Sequence, residues 1–214
     1  MRPLTLKRPK PLLLVNQKPI LEHIVDSLSD EVSELILVVG YLGDQIESFC
    51  GPHFKGRKVS YVWQKEKQGT ARALKLAQPF LGKERFLLLY ADDLHSKDGI
   101  AACLKYDYSI LVADHSEPQK FGVVSINSDG SIKSVIEKPR NPESKTVSTG
   151  VMVLDQNIFS YEPDLHSNGE YYLTSMFDKM LRDFRVMAVK TDFWFPIATP
   201  DDLSQAEKIF VSSS

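Results

Sequence analysis

The stretch ELILVVG, from Glu34 to Gly40, is a continuous apolar run closed by glycine, and the same texture returns in RFLLLYADD from Arg85. A strand that is apolar at every position has no face to give to water, so it belongs inside a sheet covered on both sides, as parallel strands are. Between the two runs, GDQIESF and GTARALKLA read as helices and KVSYVWQ as a strand. Upstream, PILEHIVDSL sets Ile20, Ile24, Val25 and Leu28 on one helical face, with Pro19 suited to the first turn. Strands alternating with helices predict an α/β sheet with right-handed crossovers.

After YSILVADH the pattern turns polar and alternating. FGVVSINSDGSIKSVIEKP predicts two antiparallel strands joined at Asp129-Gly130. The second half therefore reads as a β-rich extension grown on the same sheet. No internal repeat or long linker divides the 214 residues, so one domain over 1–214 is expected. A net charge of -2 gives no global basic field for nucleic acid, although Arg2, Lys7, Arg8 and Lys10 crowd the first ten residues. Cys50 and Cys103 lack metal-knuckle or disulfide-framework spacing and suit a reducing compartment. No apolar run approaches the ~20 residues of a membrane span. The expected location is the cytoplasm, with no membrane partner.

Open α/β sheets bind ligands at the carboxyl ends of their strands. Asp92 and Asp93 stand at such an end, where a carboxylate suits a hard cation such as Mg2+ that arrives with phosphates. A solvated or helix-capping aspartate pair accounts for them equally well. QKEKQGTARAL offers Gln64 and a Gly69-Thr70 helix start that a ligand can approach closely, or else a plain helix cap. IEKP supplies Glu137 as an acceptor for sugar hydroxyls and Lys138 as a cation for phosphate, or else a surface ion pair.

Taken in order, RPLT, RPKPLL, KPILEHI, Q…GTA, YADD, FGVV, EKP, STGV, GEYYLT and W…ATPDDL resemble the sugar-1-phosphate nucleotidylyltransferase family from Arg2 to Ile209. The resemblance implies a Rossmann-like, doubly wound, mostly parallel sheet with a β-rich sugar-binding extension. It implies transfer of a nucleotidyl group from a nucleoside triphosphate to a sugar 1-phosphate, with release of pyrophosphate and Mg2+ as cofactor. Lys10 looks like the family lysine on the phosphates, and Asp92 like its first metal carboxylate. On the nucleotide side Arg2 attracts phosphate, Gln64 reads a pyrimidine edge, and Gly69 and Thr70 form the turn under the base. Gly122, Glu137, Lys138 and Thr149 match positions that hold the sugar and its phosphate. The spacing of QKEKQGTA leans towards UTP or dTTP. A homo-oligomer stays open.

Two departures stand beside this match. In the family a strand and a loop of the form G-x-G-T-R precede x-R-P-L-T, and here Met1 occupies the x. The domain is therefore expected to be N-terminally truncated relative to the family. Burying ~5 apolar side chains of such a strand is worth on the order of 10 kcal/mol, so another segment, PLLLV from Pro11, is a candidate to fill the slot. Pro196 also stands where the family usually has a second metal aspartate. Two function classes follow: a sugar-1-phosphate nucleotidylyltransferase, and a degenerate, non-catalytic paralogue that binds a sugar nucleotide or a partner subunit.

Overall fold

The computed structural model describes residues 1 and 3–211. Leu14–Val15 (β1) and Lys18–Pro19 (β2) form a small hairpin that leads into Ile20–Asp26 (α1). Pro19 precedes the first helical residue, because a residue without an N–H is best tolerated at a helix start. Glu34–Val39 (β3) follows, then Gly43–Cys50 (α2), His53–Phe54 (β4) and Arg57–Trp63 (β5). Strands β3 and β5 run parallel, in register from Glu34 opposite Lys58 to Val39 opposite Trp63. Thr70–Ala77 (α3) then crosses to Phe86–Leu89 (β6).

The chain next forms Asp93–His95 (β7), Lys97–Cys103 (α4), Ser109–Asp114 (β8) and the expected hairpin of Gly122–Ile126 (β9) and Ile132–Glu137 (β10). Thr146–Leu154 (β11) is the hub of a mixed six-stranded sheet, antiparallel to β6, β8 and β9. Leu173–Met180 (α5) and Met187–Lys190 (β12) follow, and β12 runs parallel to β8. Trp194–Pro196 (β13) pairs with β7, and Pro200–Val211 (α6) ends the described chain.

Alternation along the central strands explains why both sheet faces are covered. Leu111 of β8 and Val151 and Val153 of β11 pack with α1, α2 and α4, whereas Ile110, Val112, Met152 and Leu154 pack with α3 and α5. That is the doubly wound arrangement expected. A third cluster joins Leu13, Val15 and Ile20 to Leu94, Ile197 and Ala206. Among the described residues no helix is long and apolar enough to cross a membrane.

The apolar runs that promised fully buried strands are less covered than expected. All four residues of β6, and Ile36, Leu37 and Val38 of β3, are only half-buried. Both strands line a cleft of about 1400 Å3. Among the described residues β3 pairs only with β5, and β6 only with β11, so each turns an unpaired edge to that cleft. PLLLV does not fill it: residues 10–12 form a turn of 3-10 helix and Leu14 and Val15 join the β1–β2 hairpin. The reason is local. The loop after Val15 folds straight back onto β2, with Asn16 and Gln17 both at positive φ (48° and 61°), so this segment cannot run on as a long strand.

Candidate active site

The carboxyl end of β6 carries Tyr90 and Asp92 at one end of the cleft, beside Pro11, Val39 and Thr70. The turn Lys10–Leu12 is anchored by buried Leu12 and Leu13, and it delivers the Lys10 ammonium to 2.8 Å from Asp92 Oδ2. This pair spans 82 positions of sequence. It is partly open to water, with side-chain exposures of 20% for Lys10 and 45% for Asp92. Arg2 lies outside the described residues.

Asp93 has a different task from its neighbour. Its carboxylate is buried and accepts from Trp194 Nε1 at 3.1 Å and from the Ile197 amide at 3.4 Å, which ties β13 and the residue that follows it to β7. Burial, then the charge of Asp92, pushes its pKa up to about 7, against the pull of Lys10, Trp194 and Ile197. Pro196 sits opposite Asp93 in the β7–β13 register and offers no oxygen from its side chain. His95 is buried, neither ring nitrogen has a partner, and desolvation brings its pKa down to about 4.

Among the residues expected to meet the nucleotide, the Gln64 amide donates to the Val39 carbonyl at 2.8 Å, continuing the β3–β5 ladder. Its side-chain Nε2 is buried without a partner, a donor left waiting for an acceptor. Gly69 has φ +94° and ψ 175°, a region that only glycine enters readily. A Cβ there would overlap the Tyr171 carbonyl oxygen and lie 2.8 Å from the Tyr171 nitrogen. Gly69 is thus required by protein backbone. Tyr171 N donates to Gln68 O at 2.9 Å and Ala71 N to Tyr171 O at 3.0 Å, so one of the amides expected to be free at the start of α3 is already engaged. Thr70 Oγ1 accepts from the Leu173 amide at 2.9 Å and shares a hydrogen bond with the Tyr90 hydroxyl.

Among the residues expected to meet the sugar phosphate, Glu137 Oε2 accepts from Thr174 Oγ1 at 3.0 Å. Lys138 reaches 3.4 Å from Glu137 Oε1 and stands 4.7 Å above the Tyr172 ring. Burial works to lower the Lys138 pKa, and Glu137 and Tyr172 outweigh it, so the ammonium form is favoured. Gly122 is buried where a Cβ would come to 3.1 Å from Thr174 and 3.6 Å from Glu137 Oε2, so its bareness makes room for that hydrogen bond. Thr149 is 1% exposed and its hydroxyl donates to the Leu111 carbonyl. Its side chain serves the β8–β11 seam and is not presented to a ligand.

Tyr90 stands between Thr70 and Gly150, and sequence reasoning did not single it out. Its hydroxyl bonds Thr70, its amide donates to Gly150 O at 3.2 Å, and its phenol pKa is raised by burial first and then by Glu137, Asp92 and Asp93. Gly150, at φ +83°, lies against the Tyr90 ring, where a Cβ would come to 2.8 Å from Cγ. The glycine in STGV, inside a strand pattern, was the one local sign of this close approach.

The donors fit magnesium carried in by phosphates. Among the described residues no group of three or more His, Cys, Asp or Glu is placed to hold an ion by itself. One half-exposed carboxylate at Asp92, with Asp93 turned inward, leaves coordination positions for phosphate oxygens and water, which suits Mg2+.

The family profile described as nucleotidyl transferase matches residues 1–212. The chain belongs to the nucleotidyl transferase family. It is 31% identical over 211 residues to the bifunctional protein GlmU of Methanocaldococcus jannaschii, a match covering 97% of this chain and 50% of that one. The chain thus spans about half the length of the GlmU proteins it matches. It is 32% identical over 223 residues to the UTP–glucose-1-phosphate uridylyltransferase AglF of Haloferax volcanii, covering 97% of this chain and 90% of AglF. A crystal structure from Bacillus anthracis, assigned as a glucose-1-phosphate thymidylyltransferase and holding sucrose, superposes with a TM-score of 0.85 at 26% identity, over 98% of this chain and 89% of that one. UDP-glucose pyrophosphorylase complexed with UDP-glucose shares the Rossmann-like fold, with a TM-score of 0.87 at 21% identity over 100% and 94% of the chains. The family that the order of motifs resembled is the one these proteins represent.

Proposed function

We propose that this nucleotidyl transferase moves a nucleotidyl group from a nucleoside triphosphate to a sugar 1-phosphate, giving a nucleotide sugar and pyrophosphate in the cytoplasm. The observation that carries the reading is the Lys10–Asp92 pair, 2.8 Å apart, whose Asp92 lines the cleft together with Thr70 and Tyr90. A phosphate oxygen of the sugar 1-phosphate attacks the α-phosphorus. The bond from that phosphorus to the bridging oxygen breaks, and pyrophosphate leaves with the electron pair. Two polyanions must meet in line, so the work falls to positioning and charge neutralisation, and no protein nucleophile is required. Lys10 supplies a cation to the triphosphate, and Lys138, held beside Glu137, supplies one to the sugar phosphate. Asp92 would hold Mg2+, whose chemistry here is to neutralise phosphate charge. Gln64 would donate its side-chain amide to a pyrimidine carbonyl, a role supported by its Nε2 being buried with no partner among the described residues, and this favours UTP or dTTP.

The open cleft supports a second reading, binding of a sugar nucleotide without turnover. Among the described residues β3 and β6 each leave an edge unpaired and both line this cleft, which therefore stays open where a substrate would have to be enclosed. Pyrophosphate release, measured with UTP, dTTP, CTP and GTP against glucose 1-phosphate and N-acetylglucosamine 1-phosphate, separates the two readings. Turnover near the enzyme median of ~10 per second supports the transferase. Nucleotide-sugar binding without turnover supports the second.

A further inference from the structure

We infer that Tyr172 is a positioning residue that fixes the Lys138 ammonium for the phosphate of the sugar substrate and ties it to the base-side turn. The inference rests on the sugar-phosphate role proposed above for Lys138. Lys138 has φ +43°, a left-handed conformation that a lysine adopts at a cost, and its amide donates to the Phe121 carbonyl at 2.9 Å. That conformation carries the side chain over the Tyr172 ring, 4.7 Å from its centroid, with Nζ 3.4 Å from the Tyr172 hydroxyl.

The ring is itself held from several sides. Its hydroxyl donates to Glu170 Oε2 at 2.7 Å and accepts from Asn168 Nδ2 at 2.7 Å, so it has no spare proton for a ligand. His166 packs edge-on against it, with centroids 5.2 Å apart. On either side of Tyr172 in sequence, Tyr171 bonds Gln68 and Ala71, and Leu173 bonds Thr70. The loop beneath Lys138 and the turn at Gly69 and Thr70 are therefore one unit, about 100 residues apart in sequence at the Thr70–Leu173 bond. An ammonium over an aromatic face is attracted by the ring's negative potential, and a ring fixed by its hydroxyl fixes the ammonium in turn.

The test is calorimetric titration of the 214-residue chain with glucose 1-phosphate and, separately, with UTP. Wild type is compared with Tyr172→Phe, Tyr172→Leu, Lys138→Met and the double variant Tyr172→Leu/Lys138→Met. Tyr172→Leu should weaken glucose 1-phosphate by about tenfold and Tyr172→Phe, which keeps the ring, by about threefold, with UTP changed less than about twofold. In the Lys138→Met background the Leu substitution should cost less than about twofold, because the ammonium it positions is gone. Additive losses, or equal losses for both ligands, overturn the inference, as does a wild type that does not bind glucose 1-phosphate. The ring must also shift the Lys138 ε-methylene protons upfield in wild type, which NMR reads without any variant; unshifted protons overturn it too. Failure of the proposed reaction looks different: no pyrophosphate release, with glucose 1-phosphate binding and the Tyr172–Lys138 coupling intact.

Discussion

Gly69→Ala separates two explanations of the QGTA turn. If the glycine is there so that a base can approach, alanine should weaken nucleotide binding and leave stability alone. The structure says otherwise, because the missing Cβ would run into the Tyr171 backbone, which cannot rotate away as a side chain does. An alanine at φ +94°, ψ 175° costs about 1–3 kcal/mol in backbone strain. Moving Tyr171 aside also strains or breaks two hydrogen bonds, Tyr171 N to Gln68 O and Ala71 N to Tyr171 O, worth roughly 1 kcal/mol each. The sum is about 3–5 kcal/mol, a large part of the ~5–15 kcal/mol that holds a typical domain together. Urea unfolding followed by circular dichroism reads it as a lower midpoint at unchanged slope. Gly56→Ala is the control: its φ is +78° with nothing within 4 Å of the added methyl, so only about 1–2 kcal/mol of strain applies. If Gly69→Ala unfolds no more easily than Gly56→Ala, the steric argument is wrong.

Asp92→Asn should change stability by less than ~1 kcal/mol, since its ion pair is half-open to water, while removing the Mg2+ dependence of UTP binding; Mg2+ dependence equal to wild type in a titration excludes the metal role. Gln64→Ala should weaken UDP-glucose roughly fivefold, the worth of one hydrogen bond, and leave GDP-sugars unaffected; equal losses for both would show that Gln64 does not read the base. Two groups on β7 oppose each other in the pH dependence of stability. His95, lowered to about 4, binds one proton fewer folded than unfolded between about 4 and 6.5, so its contribution falls as pH drops through that window. Asp93, raised to about 7, binds one proton more folded than unfolded, so its contribution falls as pH rises towards 7. His95→Phe removes the first alone, so its stability relative to wild type should climb by roughly 1 kcal/mol per pH unit from pH 6.5 down to 4 in urea titrations; a difference that does not vary with pH contradicts the assignment.

What could be read in the chain beforehand was local. Apolar runs marked β3 and β6, and the Asp129-Gly130 turn marked the β9–β10 hairpin. Asp92 was legible because a strand end is a place in sequence as well as in space. What stayed hidden was every partnership between distant segments. Asp93 looked like a twin of Asp92, yet its partners Trp194 and Ile197 lie 101 and 104 positions away, and they make one aspartate a structural tie while the other faces the cleft. Thr149 sat in a matching motif, and only the β8–β11 register shows its hydroxyl committed to Leu111. Gly69, Tyr90 and Tyr172 likewise have meaning only once α3, β6 and the loop before α5 are brought together. The same reasoning explains the half-buried strands. Composition records that ELILVV and FLLL are apolar enough to be covered on all sides, whereas coverage depends on what lies beside them. Among the described residues each strand has one paired neighbour and one open edge, and both strands line one cleft that Asp92 also lines. A backbone laid between them would find unpaired donors and acceptors on both sides, and its carboxyl end, if it ran parallel to β3, would emerge beside the proposed phosphate site.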